Sequence, residues 1–169
     1  MSLVIDNFKQ KNMKLLILSA LLILGNIVTR AQKSEGELTW YTDVEAAQKE
    51  SMRTKKPMML FFTGSDWCGW CVRLQKEVFL KDEFKKWAPD NVILVELDFP
   101  RAKTQSDATK KQNQLLQQQF NVMGYPTVHF VRPEKSKDAV SLVNIGKTGY
   151  MSGGPGPWIA NASSIIQMK

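Results

Sequence analysis

The sequence predicts an α/β domain built on a central mixed sheet, mostly parallel with a C-terminal antiparallel hairpin, and covered by helices on both faces. Three observations carry this expectation. The short, continuously apolar run 58–62, bounded by Pro57 and Gly64, has the length and continuity of a strand buried on both sides, and 92–97 reads as another apolar strand. Between them lie segments whose apolar residues return every three or four positions, the period of a helix. Near the C-terminus two strand-like runs follow one another with only a turn between, and a last helical segment closes the chain. Strands that alternate with helices require parallel pairing through crossovers, whereas the final pair can fold back as a hairpin.

The chain has 169 residues, room for one domain and a short appendage. At the N-terminus Lys9, Lys11 and Lys14 surround the start of an apolar run, 15–24, continued by Ile27 and Val28. Thr29-Arg30-Ala31 then supplies small residues around a cleavage point. This order is that of a secretory signal peptide over residues 1–31, whose true start is either Met1 or Met13. The alternative is an uncleaved membrane anchor, for which the strongly apolar run is short of the roughly 20 residues a span needs. Export to the periplasm or beyond is therefore expected. Residues 32–37 are polar, contain a glycine and read as a linker, which leaves 38–169 as the folded domain.

Within that domain 38–41 reads as a short strand, and Thr42 with Glu45 as a capping box for a helix reaching about Arg53. The apolar run 58–62 is the central strand that aims the site. From Cys68 the period becomes helical, with Cys71, Leu74 and Val78 on one stripe, and a second short turn is expected at 82–87. A strand at 92–97 is followed by a polar loop and by a helix at 107–120, where Leu116 and Phe120 lie one turn apart. Strands at 127–132 and 140–145 are expected around a turn containing Pro133, with a closing helix at 157–168.

The formal charge of +7 shrinks to a small positive excess once the leader, with its four basic residues and Asp6, is set aside. The densest basic stretch, 101–111, is interleaved with polar residues and has no aromatic residue on which a base could stack, so no nucleic-acid partner is expected. The chain has two cysteines, three positions apart, too close to staple distant parts of a fold. Zinc requires about four ligands, and the one histidine, His129, falls in a strand where it reads as a strand-face residue. No metal or other cofactor is expected.

The chemistry-bearing motif is Trp67-Cys68-Gly69-Trp70-Cys71, placed where an apolar strand gives way to a helix. Unpaired N–H groups and the macrodipole at a helix start favour negative charge, so Cys68 ionises more easily than a free thiol of pKa about 8.5. Cys68 is thus expected to attack, and Cys71, one turn on, to resolve the mixed disulfide.

With Gly124-Tyr125-Pro126-Thr127 before a strand and a glycine-rich stretch at 146–156 before a terminal helix, this motif resembles the thioredoxin superfamily, in particular exported bacterial thioredoxin-like proteins. The resemblance extends over 38–169. It implies a thioredoxin fold, a cis Pro126 facing the cysteine pair, and a substrate-binding surface of Trp67, Gly69, Trp70, Tyr125 and Pro126. It also marks two departures. The buried aspartate of thioredoxins proper falls at Phe62 here, so Asp66 or Glu96 is the candidate for proton transfer. The polar stretch 99–114 is longer than the corresponding thioredoxin connection and is either a partner-specific surface or a solvated insertion.

The function implied is a thiol–disulfide oxidoreductase acting on disulfides or thiols of exported proteins, as a monomer supplied by a separate membrane or soluble electron donor. No histidine stands between the cysteines, and Asp66 opposes the thiolate. The couple is therefore expected at about −200 to −270 mV, a reductase rather than a strong oxidant. The alternative is a thioredoxin-fold chaperone or assembly factor that binds clients without redox turnover.

Overall fold

A computed structural model describes residues 32–35, 38–137 and 139–167. The expected leader lies outside them. Six strands form one sheet in the order β1-β2-β4-β3-β5-β6: β1 Gln32–Glu35, β2 Leu38–Tyr41, β3 Met58–Thr63, β4 Ile93–Asp98, β5 Thr127–Lys135 and β6 Val140–Thr148. The helices are α1 Val44–Thr54, α2 Gly69–Leu74, α3 Asp82–Asn91, α4 Asp107–Gln119 and α5 Pro155–Gln167. A π-helical turn, Gln75–Phe79, continues α2. This is the mixed-sheet thioredoxin arrangement expected. Parallel pairing is nevertheless confined to β2, β4 and β3; β5 and β6 join antiparallel, as does β1. The cause is the path after α4. Thr127 lies opposite Phe62, so the chain returns to the end of the sheet at which β3 finishes.

All six residues of β3 are buried, and alternate ones serve two cores. Met59 and Phe61 join Leu94, Val128 and Phe130 beneath α2, α3 and α5, whose Cys71, Leu74, Phe84 and Trp158 fill that side. Met58, Leu60 and Phe62 join Val95, Leu97 and Val131 on the other, under Val44 and Ala47 of α1 and Leu116 of α4. Trp158 is wholly buried, its indole N–H donating to Gly149 O at 3.0 Å. Gly146 is required beside it, because a Cβ there would stand 2.7 Å from Ile165 of α5.

Several local expectations are corrected. The helix α1 is capped by Asp43, not Thr42; the Asp43 carboxylate accepts from Glu45 N at 2.9 Å and Ala46 N at 3.3 Å, the geometry of an N-cap. Helix α3 runs a full turn past Trp87 and contains Pro89. The turn holds because Ala88 is buried, Val92 N still reaches Ala88 O, and Asn91 Nδ2 donates to Trp87 O. Pro133 lies inside β5 opposite Leu142, while the hairpin turn falls at 136–139. It is tolerated because β3 pairs with β5 only as far as Val131, so no ladder partner is lost on that side. Residues 32–35 of the expected linker pair with β2 as an edge strand.

Candidate active site

The strand β3 ends at Thr63, and the chain turns through Gly64 to Asp66 before the helix. Trp67 N and Cys68 N both donate to Gly64 O, at 3.2 and 2.9 Å. Gly64 is obligatory, since a Cβ there would meet the Trp67 indole at 2.4 Å. Cys68 then occupies the N-cap of α2 in extended conformation, with its Sγ accepting from Cys71 N at 3.1 Å. That contact aims one helix N–H, that of Cys71, at the sulfur where thiolate charge would develop.

Cys68 and Cys71 form a disulfide with Cα atoms 5.2 Å apart. Cys68 is 6% exposed and Cys71 wholly buried, next to Leu74 and Val78 on the expected stripe. Of the two cysteines, Cys68 alone retains any exposure. The Tyr125–Pro126 bond is cis, as the resemblance implied. The Tyr125 ring meets Trp67 edge-on at 5.6 Å and Phe99 at 5.3 Å, which brings the segment preceding β5 beside the residue preceding Cys68. Burial pushes the Tyr125 phenol above its ordinary pKa, although Gln117 Nε2 donates to its oxygen at 2.8 Å.

The loop at 99–106 is fastened to this same segment. Ser65 donates through its N and Oγ to the Asp98 carboxylate at 2.8 and 2.6 Å, and Lys103 Nζ donates to Ser65 Oγ at 3.1 Å. The Asp66 carboxylate accepts from the backbone N–H of Arg101 at 3.0 Å, Ala102 at 2.7 Å and Lys103 at 3.3 Å. Those N–H groups hold its pKa below the ordinary carboxylate value. The Trp67 indole donates to Phe99 O at 2.8 Å, and the Arg101 guanidinium lies 4.2 Å from the centre of the Trp67 ring.

On the other side of Cys68, Trp70 is 55% exposed and meets the Tyr150 ring, from the loop after β6, at 5.1 Å in a tilted arrangement. Arg73 lies over both rings and pairs with Glu77 at 2.6 Å, which also accepts from the Tyr150 hydroxyl. Tyr150 first, then Arg73, draw the Glu77 pKa below its usual value.

Of the residues singled out in the sequence, Cys68 and Cys71 are bonded to each other, Trp67 touches Tyr125, which the cis bond joins to Pro126, Trp70 turns to Tyr150, and Gly69 opens α2 with nothing within 4 Å of a Cβ. Asp66 faces the backbone of 101–103. Glu96 is 5% exposed on β4; it alternates with Ile93, Val95 and Leu97 and so shares the sheet face of Leu94 and Cys71. His129 is buried and stands apart, its ring against Phe62 and Phe120 and its Nδ1 3.0 Å from Asn144 Oδ1; burial lowers its pKa. Sequence reasoning missed Arg101, Ser65, Asp98 and Tyr150 as parts of the site. The long polar stretch 99–114 was a signal for Arg101 and the glycine-rich stretch 146–156 for Tyr150, whereas Ser65 and Asp98 lie outside both. Among the described residues no group of three or more His, Cys, Asp or Glu side chains is placed to hold a metal. Clefts of about 350 and 280 Å³ lie elsewhere, one of about 200 Å³ is lined by Asp98, Phe99 and Lys103 of the loop, and none of the three is lined by either cysteine.

Comparison with known proteins agrees with this geometry. The thioredoxin-like family profile matches residues 39–133. Disulfide bond reductase DsbH of Chlamydia pneumoniae is 32% identical over 132 residues, 78% of this chain and 75% of that protein. Thioredoxin-related protein DsbJ of the same organism is 25% identical over 155 residues, 89% of this chain but 43% of that longer protein. A solved structure of a DsbH oxidoreductase superposes with a TM-score of 0.69 at 29% identity, covering 82% of this chain and 93% of the other.

Proposed function

Given that the chain belongs to the thioredoxin-like family and is a thiol–disulfide oxidoreductase, we propose that it works as a reductase of disulfides in exported proteins, with Cys68 attacking and Cys71 resolving. The observation that supports the assignment of roles is the asymmetry of burial: Cys68, at a helix start, keeps 6% exposure and Cys71 none. In the reduced protein the Cys68 thiolate attacks a client disulfide, forming a Cys68–client bond and expelling one client thiolate. Cys71 then attacks the Cys68 sulfur, closes the intramolecular disulfide and releases the second client thiol. Two electrons pass to the client, and a separate donor restores the dithiol.

Two further assignments belong to this reading. The Trp67, Gly69, Trp70, Tyr125 and Pro126 surface receives an extended client segment, paired along the backbone before β5 in the way a sheet edge accepts a strand. The proton of Cys71 passes to Glu96, which shares its face of the sheet, rather than to Asp66, whose oxygens are taken up by the loop backbone. Reduction as the direction is supported by the name of the reductase with which the chain shares 32% identity. It is also supported by the absence of any cation between the cysteines to stabilise the thiolate further.

The test is equilibration of the Cys68–Cys71 pair against a glutathione buffer, with a midpoint expected at about −200 to −270 mV; a value above about −150 mV makes the protein an oxidant and ends the reductase reading. In parallel, Cys71→Ser accumulates mixed disulfides with clients and Cys68→Ser does not. Equal trapping by both variants contradicts the division of roles.

A further inference from the structure

Each tryptophan of the motif is backed by a tyrosine and an arginine, but the two groups are electrically different. On the Trp70 side Arg73 is neutralised by Glu77. On the Trp67 side the Arg101 guanidinium stands over the indole, its carbon 4.2 Å from the ring centre, and no side-chain acceptor among the described residues engages it. The Asp66 carboxylate, which holds this loop, accepts from three backbone N–H groups, one of them from Arg101 itself. The loop has thus been fixed by backbone and indole hydrogen bonds, while its one stacked guanidinium keeps its donor edges toward solvent. A planar guanidinium held on an aromatic face is oriented in advance for bidentate contact with a carboxylate, and holding it there lowers the entropy lost on binding.

We propose that Arg101 selects client disulfides that carry an aspartate or glutamate close to the reacting cysteine. The occupant is an extended polypeptide segment seated along the Tyr125-Pro126 edge, and the inference rests on the oxidoreductase reading above. Arg101 touches Trp67, and Trp67 touches Tyr125, so the guanidinium stands two ring contacts from that edge. With about 3.3 Å per residue in an extended chain, the carboxylate belongs within about three residues of the cysteine. Lys103, whose ammonium already donates to Ser65, adds positive charge to the same rim.

The test uses two synthetic peptide disulfides, identical except for Glu or Gln at positions flanking the cysteine. Each is reduced by the full protein previously reduced with dithiothreitol, and each rate is divided by that for dithiothreitol alone to remove the intrinsic effect of the charge. The wild-type protein should favour the Glu peptide about three- to fivefold in kcat/KM, and 0.5 M salt should erase most of that preference. Arg101→Gln brings the ratio near one and Arg101→Glu inverts it, while Arg73→Gln keeps the preference. Equal handling of the two peptides by wild type, or a ratio that survives Arg101→Gln, overturns the proposal. If neither peptide is reduced although dithiothreitol reduces both, the reductase reading itself fails.

Discussion

At position 62, where the resemblance to thioredoxins places a buried carboxylate, this chain has an aromatic side chain packed against Phe99, Phe120 and His129. The buried carboxylate nearby in the sheet is Glu96, on the cysteine side. If Glu96 accepts the Cys71 proton, Glu96→Gln should slow release of a trapped client about tenfold or more near neutral pH and move the pH profile of that step. The first attack by Cys68 should change far less. Single-turnover kinetics with a client mixed disulfide separate the two steps, and an unchanged profile for release excludes the role. The cysteines and aromatic neighbours were legible because the chemistry needs those residue types at that spacing. Arg101 was not, because its position depends on the Asp66 carboxylate folding a distant loop back onto Trp67, and nothing local in the sequence records that.

Among the secondary-structure elements, the connection at 99–106 is the one that ties two parts of the chain into a single surface. Asp66→Asn keeps the shape of the side chain but removes the negative charge to which three N–H groups donate. The loop should then open, and trypsin should cleave after Arg101 and Lys103 several times faster than in the wild type; unchanged cleavage would show that Asp98 and Trp67 hold it alone. Apolar periodicity revealed most elements to within a residue or two. It failed where an end is set by tertiary contacts. Asp43 displaces Thr42 as a cap because the helix starts one residue later, with Val44 turned into the core. Pro133 reads as a turn residue, yet it fits a strand that has outrun its neighbour. Residues 32–35 have no apolar pattern, so composition does not report their pairing with β2.

For the molecule as a whole, the buried His129 couples stability to pH. Burial lowers its pKa in the folded state, whereas in the unfolded chain it titrates near 6.5. The unfolded state therefore takes up the proton first as pH falls. This contribution to stability is complete above about pH 6.5 and is lost below it, at up to about 1.4 kcal/mol per pH unit. Urea unfolding at pH 7.5 and 5.5 should show that loss in the wild type and a smaller one in His129→Gln; equal losses would place the pH sensitivity in other groups. The position of β3 also bears on how the site lasts. Its backbone is held by β4 on one side and β5 on the other, and both of its faces are covered. Such a strand exchanges its amide hydrogens only through the largest openings of a protein, while edge strands and loops exchange through small ones. The cysteine-bearing helix hangs directly from it, so fluctuations that fray β6 or lift the 99–106 loop leave the two sulfurs in place, and only the rare opening of the whole sheet separates them from their setting.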